Sequence, residues 1–125
     1  GEGAFYDNFP TDNKDWCELG ENKDFLTYND KVDWIITNPP WSKMHDFLLH
    51  GMEIADNIVY LTTFNHYTTK RRIREMRKNN FAIKEVYCIP TPPNPWPQLG
   101  FQLAAVYTQR DYDGGITMSY SPMLK

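Results

Sequence analysis

The tightest constraint on this chain is a pair of adjacent prolines at the end of an apolar run. From Asp33 to Thr37 the sequence reads Asp-Trp-Ile-Ile-Thr, and it stops at Asn38-Pro39-Pro40-Trp41. A short, nearly continuous apolar run rich in β-branched and aromatic residues reads as a buried strand, of the kind that pairs in parallel. Proline lacks a backbone N–H and fixes φ, so neither Pro39 nor Pro40 can extend the ladder. The chain must leave the sheet at Asn38.

Beyond that turn, strand and helix alternate. Phe47, Leu48, Met52, Ile54 and Ala55 recur at helical spacing, which predicts a helix from Ser42 to Asp56 with Ser42 as its N-cap. Asn57 to Phe64 reads as a second buried strand. Thr68 or Thr69 is placed to cap a helix over Lys70–Asn79 that packs through Ile73, Met76 and Phe81. Ala82–Ile89 and Phe101–Gln109 are two further strands, separated by the proline-rich stretch from Pro90 to Gly100. With no helix between them, the last strand is expected to run antiparallel. Asp15–Leu19 is a short strand candidate between turn-forming stretches. This alternation builds a sheet flanked by helices, with ligands at the carboxyl ends of the strands, which points to Asn38, Phe64–Tyr67 and Pro90–Gly100. Residues 1–112 are expected to form the domain, and 113–125, with Gly114-Gly115 and Pro122, a turn and a loosely held end.

At 125 residues, 41% hydrophobic and 23% charged, the chain suits one globular domain and leaves no room for a separate recognition domain. A formal charge of −3 provides no global field for a polyanion, so nucleic-acid contact would depend on a local basic patch or a partner. Cys17 and Cys88 lie in strand-like runs without the spacing of a zinc site, so no metal is expected and both thiols are read as buried and reduced. No apolar run approaches the roughly 18 residues of a membrane span. The expectation is a soluble, cytoplasmic protein.

The chemistry of the turn follows from its residues. Carbonyls before and between two prolines are rigid acceptors with no competing donor, and the Asn38 carboxamide adds another. Trp41 supplies a flat face on which a base can stack for roughly 1–3 kcal/mol. An adenine amino group donating to the Asn38 side-chain oxygen and the Pro39 carbonyl would have its lone pair aligned towards an electrophile. Alignment and charge stabilisation then matter more than a strong base. A base in a duplex would have to be flipped to reach the turn.

The stretch from Val32 to Trp41 resembles the fourth motif of the S-adenosylmethionine-dependent N6-adenine methyltransferases of DNA, especially small phage and bacterial members. The resemblance extends roughly to Tyr107. It implies a Rossmann-like class I α/β three-layer sandwich, mostly parallel with an antiparallel last strand, and methyl transfer to adenine N6 in DNA of a bacterial or phage-infected cell. It gives Asn38, Pro39, Pro40 and Trp41 the catalytic roles. Gly1-Glu-Gly-Ala-Phe5 resembles the end of the family's glycine-rich first motif, so Gly1, Gly3 and Phe5 are assigned to the cofactor. Glu18, with Glu21 as its competitor, takes the place of the acid that binds the ribose, and Asp24-Phe25 resembles the third motif, which contacts the cofactor adenine; a surface acid in a polar turn is the bland alternative for each. A start inside the first motif leads to the expectation of an amino-terminally truncated domain without its first central strand, and of self-pairing into a homodimer through open sheet edges.

Some candidates lie outside the motifs. His66, at the end of the second strand, is a substrate-binding candidate, with a surface-loop histidine as the bland alternative. Asn94 and Trp96 sit in a stiff loop that serves either as a base-reading lid or as a simple crossover. Lys70, Arg71, Arg72, Arg74, Arg77 and Lys78 form a basic cluster, read as a solvated helix face before a phosphate patch. Similar Asn-Pro-Pro-aromatic turns occur in enzymes that methylate a protein glutamine amide or an RNA guanine. A non-catalytic fragment that binds a partner is the remaining alternative.

Overall fold

The computed structural model describes residues 25–90 and 101–123. Strand β1 (Val32–Thr37) leads through the Asn-Pro-Pro turn into helix α1 (Met44–Ile54), which runs directly into β2 (Ala55–Thr63). A 3-10 turn, Phe64–Tyr67, precedes helix α2 (Lys70–Lys78), then β3 (Phe81–Cys88), β4 (Leu103–Arg110) and β5 (Thr117–Tyr120). The sheet order is β1-β2-β4-β3-β5. β1 pairs in parallel with β2, β4 is antiparallel to both β2 and β3, and β5 is parallel to β3. Four strands therefore point one way, with β4 reversed between β2 and β3. The result is the α/β architecture predicted from the alternation, including the reversed strand.

Burial alternates across the sheet as the two-residue period of a strand demands. Ile35 pairs with Ile58, Ile58 with Thr108, Tyr60 with Val106 and Val106 with Val86. All of these are buried, so they form one inner face. Helix α1 lies on it: a Cβ on Gly51 would stand 2.6 Å from Tyr60 Oη and 3.1 Å from an Ile58 methyl. Helix α2 joins the same core through Met76, and its arginines reach His45 of α1. On the opposite face Trp34, Val59 and Tyr107 are half-buried. There the Tyr107 hydroxyl donates to Asn57 Oδ1 (2.6 Å), and its ring meets Trp34 at 5.1 Å.

The structure differs from the sequence expectations in several places. Ser42 does not cap a helix. Trp41–Lys43 form a 3-10 turn, and α1 starts only at Met44, after Lys43, with no side-chain cap. Pro40, with φ of −62°, starts that turn; its carbonyl takes the Lys43 N–H (3.0 Å) and Trp41's carbonyl takes that of Met44. Backbone carbonyls thus do the work expected of a serine hydroxyl. Ile73 is 39% exposed rather than packed, because Met76 is the buried residue of the nine in α2. Thr69 is the cap of α2, its hydroxyl accepting from the Arg72 N–H (3.2 Å). Residues read as a loosely held end supply β5, the partner of β3 along Glu85–Cys88. The Asp15–Leu19 strand candidate lies outside the described residues.

Candidate active site

Register places the candidate residues at one edge. Thr37, the last residue of β1, pairs with Tyr60, and β2 continues three residues to Thr63, which pairs with Leu103. Cys88, ending β3, pairs with Ala104 at the start of β4. Asn38, the turn Phe64–Tyr67, and the two residues that flank the 91–100 stretch, Pro90 and Phe101, therefore gather at the carboxyl edge of the parallel strands. That is where ligands of open α/β sheets bind. Phe101 and Gln102 are held there: the Phe64 N–H donates to the Gln102 carbonyl (2.9 Å), and Gln102 Nε2 donates to Ile89 O (2.8 Å) and Leu103 O (2.9 Å).

Within the Asn-Pro-Pro-Trp turn the four residues have different environments. Pro39 is fully buried and anchors the turn, Pro40 and Trp41 are half-buried, and Asn38 is exposed. Among the described residues the Asn38 carboxamide has no hydrogen-bond partner, so its oxygen is free to accept. The Trp41 ring stands 6.1 Å from the His66 ring at 58°. His66 Nδ1 lies 2.8 Å from Thr62 Oγ1 and 3.2 Å from Thr63 Oγ1. Burial, then the Arg72 guanidinium, lower the His66 pKa below the ordinary histidine range, against an opposing contribution from the Thr63 backbone. The imidazole is therefore neutral near neutral pH.

Behind this edge lies a polar layer that sequence reasoning did not find. Tyr67 is 1% exposed and its hydroxyl, like Asn65 Oδ1, is buried with no hydrogen-bond partner among the described residues. Burial pushes the Tyr67 phenol far above its usual value, so it stays protonated. Arg71 Nη2 is 2.9 Å from His45 Nε2 and Arg72 Nη1 2.9 Å from His45 Nδ1, with Glu75 Oε1 3.4 Å from Nδ1. An imidazole accepts at no more than one nitrogen, so at most one of the two guanidinium contacts is a hydrogen bond. Glu75 Oε1 and Arg72 Nε are buried here without a hydrogen-bond partner among the described residues. The basic cluster divides accordingly: the Arg71 side chain is 69% exposed, whereas that of Arg72 is 13% exposed and enclosed by His45 and Glu75. Helical spacing predicted the charges but gave no signal of which one turns inward.

Of the residues assigned to the cofactor, Gly1, Gly3, Phe5, Glu18 and Asp24 lie outside the described residues, as do Asn94 and Trp96. Phe25 is described. It is 4% exposed, stacked on Phe47 at 4.7 Å and met edge-on by His50 at 5.2 Å. A separate hollow at the amino ends of β1 and β2 is lined by Lys31, Asp33, Glu53, Asp56, Asn79 and Arg110. Its cations are already engaged. Arg110 bonds Asp56 (2.8 Å) and the carbonyls of Met52 and Ala55, and Lys31 bonds the Glu53 carbonyl. These contacts close the carboxyl end of α1, which makes the hollow a capping arrangement. Among the described residues no three His, Cys, Asp or Glu side chains are grouped to hold a metal, and no helix is long and apolar enough to cross a membrane.

No protein-family model and no curated protein matches the sequence. Among solved structures, the chain is similar to a Pyrococcus horikoshii protein designated an RNA methyltransferase, with 17% identity and a TM-score of 0.48 over 70% of this chain and 46% of that one. It is also similar to M1.HpyAVI bound to SAM, with 16% identity and a TM-score of 0.43 over 74% of this chain and 59% of that one. M1.HpyAVI without that ligand gives 14% identity and a TM-score of 0.43, over 74% and 57%. The chain thus spans about half the length of the solved structures it matches.

Proposed function

We propose that this chain carries the acceptor-binding part of an S-adenosylmethionine-dependent amino-methyltransferase that acts on N6 of adenine in DNA. The observation that carries the reading is Asn38: an exposed carboxamide, unpartnered among the described residues, followed by a fully buried proline and, three positions on, a half-buried indole, at the carboxyl end of a parallel strand. Asn38 Oδ1 and the Pro39 carbonyl accept the two amine hydrogens, and Trp41 stacks the flipped base. Pro40 keeps the turn rigid, so alignment of the nitrogen lone pair is built in before substrate arrives.

The groups at this edge suit a reaction whose electrophile comes from elsewhere. They are amide and carbonyl acceptors, an indole and a neutral imidazole, and the thiol of Cys88 is buried. S-adenosylmethionine, when bound, supplies an electrophilic methyl group. On the family resemblance it is held by Gly1, Gly3, Phe5, Glu18, Asp24 and Phe25, the last through its place in the wall rather than an open ring face.

Calorimetric titration with S-adenosylmethionine, followed by transfer of labelled methyl to DNA, RNA and glutamine-peptide acceptors, tests the proposal. Label on adenine in DNA is expected. Asn38→Ala should lower transfer about 100-fold, the scale of losing one transition-state hydrogen-bond partner, with cofactor affinity unchanged. Label on RNA guanine or glutamine instead moves the activity to that acceptor. Absence of cofactor binding even at millimolar concentration leaves a non-catalytic, partner-binding protein.

A further inference from the structure

We infer that the outward stripe of helix α2, formed by Lys70, Arg71, Arg74, Arg77 and Lys78, is the surface on which a DNA phosphate backbone lies. The choice of DNA as the polyanion rests on the adenine reading; the surface itself rests on charge and geometry.

Charge is segregated along this chain. Lys70–Lys78 hold six of its 13 Lys and Arg residues and one of its 16 Asp and Glu. The helix therefore carries +5, against −8 on the rest of the chain, within a formal total of −3. At roughly 100° per residue the five cations fall within about 120° of the helix circumference, opposite the buried Met76. All five are exposed, while Arg72 turns inward. Glu75, the helix's only acid, also turns inward, its Oε1 3.4 Å from His45 Nδ1 and 3.7 Å from Arg72 Nη1. No negative charge interrupts the stripe.

The stripe also lacks partners. A solvated helix face ordinarily mixes signs, with acids four residues from bases. Here Arg71 alone of the five reaches an acid, Glu75 at 3.6 Å, and among the described residues Lys70, Arg74, Arg77 and Lys78 have no ion pair. Lys70 with Arg74, and Arg74 with Lys78, are like charges four apart, which repel. Lys70 and Arg71 also stand in the first turn, where no acid offsets them against the helix dipole. A polyanion relieves each of these conflicts. From Lys70 to Lys78 the stripe is about 12 Å long, roughly the rise of three or four phosphates of one DNA strand. A linear array of this kind suits a phosphodiester chain rather than a single small anion. Its amino end lies towards the candidate site: Lys70 follows closely on His66, whose ring stands 6.1 Å from that of Trp41.

Fluorescence anisotropy of a labelled DNA duplex, repeated over a range of salt concentrations, tests the inference. For the wild type, log affinity against log salt should have a slope of about −4, the counterion release expected when four to five phosphates are neutralised. Lys70→Gln, Arg74→Gln and Lys78→Gln should each reduce that slope by about one, with thermal unfolding no lower than in wild type. Lys84→Gln removes the same charge from the opposite face of the sheet, where Lys84 lies over the Tyr107 ring at 5.5 Å, and should leave the slope unchanged. On a duplex that accepts label, the three stripe substitutions combined should raise KM about 10-fold or more, with kcat unchanged. Stripe variants that bind DNA as wild type does overturn the inference. So does an equal loss from Lys84→Gln, which marks a diffuse effect of net charge. Displacement of the duplex by polyglutamate at equal charge concentration also overturns it, in favour of an acidic protein partner. Adenine labelling that persists through any of these leaves the methyltransferase reading standing. Stripe-dependent binding with no transfer to adenine keeps the surface and brings down that reading.

Discussion

At Thr62 and Thr63 two buried hydroxyls converge on one nitrogen of the His66 imidazole. Its pKa is held down by burial and by the positive field of Arg72. In the unfolded chain those influences vanish, so the imidazole takes up its proton at higher pH than in the fold. Between the two values the unfolded state binds more protons, and stability therefore rises with pH across that window. Lowering the pH from neutral to about 5, through the ordinary histidine range, should reduce the urea midpoint of unfolding. His66→Gln should flatten that dependence, and an unchanged slope would mean that His66 is as easily protonated in the fold as outside it. Asn38 is the opposite case: it is exposed and, among the described residues, unpartnered, so its substitution should change stability little.

Helix α1 approaches β2 closely because position 51 has no side chain. The Tyr60 hydroxyl, donating to the Phe47 carbonyl at 2.6 Å, occupies the space where a Cβ on Gly51 would fall. Glycine in a helix interior costs about 0.5–1 kcal/mol relative to alanine, so propensity alone favours Gly51→Ala. Sterics reverse the sign. The substitution should destabilise by about 1–3 kcal/mol, the usual cost of overpacking a core, and adding Tyr60→Phe should recover part of the loss. Chemical denaturation of the single and double variants checks this, and a stabilised Gly51→Ala would mean that α1 sits further from the sheet. Helix α2 is a different kind of element. It is nine residues long and held by the Thr69 cap, by Met76 and by the arginine contacts to His45.

Across the whole molecule, α1 and α2 lie over one face of the sheet, and the other carries Trp34, Tyr107 and their polar neighbours. Among the described residues β5 ends the sheet, and all four of its residues are exposed. Residues 114–123 carry no charge, with Ile116, Met118, Tyr120 and Met123 all exposed. Edge strands usually avoid association through charge or proline, and within β5 neither is present. Concentration-dependent self-association is therefore expected in light scattering. Ser119→Lys, a charge on that edge, should return the protein to monomer. A wild-type monomer at every concentration would rule out pairing through β5.

The sequence by itself determined the course of the chain from β1 to β4. Apolar period, proline stops and the absence of a helix between the last two predicted strands are local signals. They were enough to place a parallel strand before Asn38 and a reversed strand after the 91–100 stretch. The Asn-Pro-Pro-Trp turn was legible for the same reason, since two prolines dictate their own backbone. What tertiary structure decided is who meets whom. That Arg72 turns inward while Arg71 stays in water, and that Ile73 faces solvent, depends on how α2 lies against α1. Strand β5 owes its pairing to β3, residues some thirty positions earlier, and no local pattern in a short uncharged segment carries that information. Long-range pairing is a property of the packed sheet, and only the packed sheet reveals it.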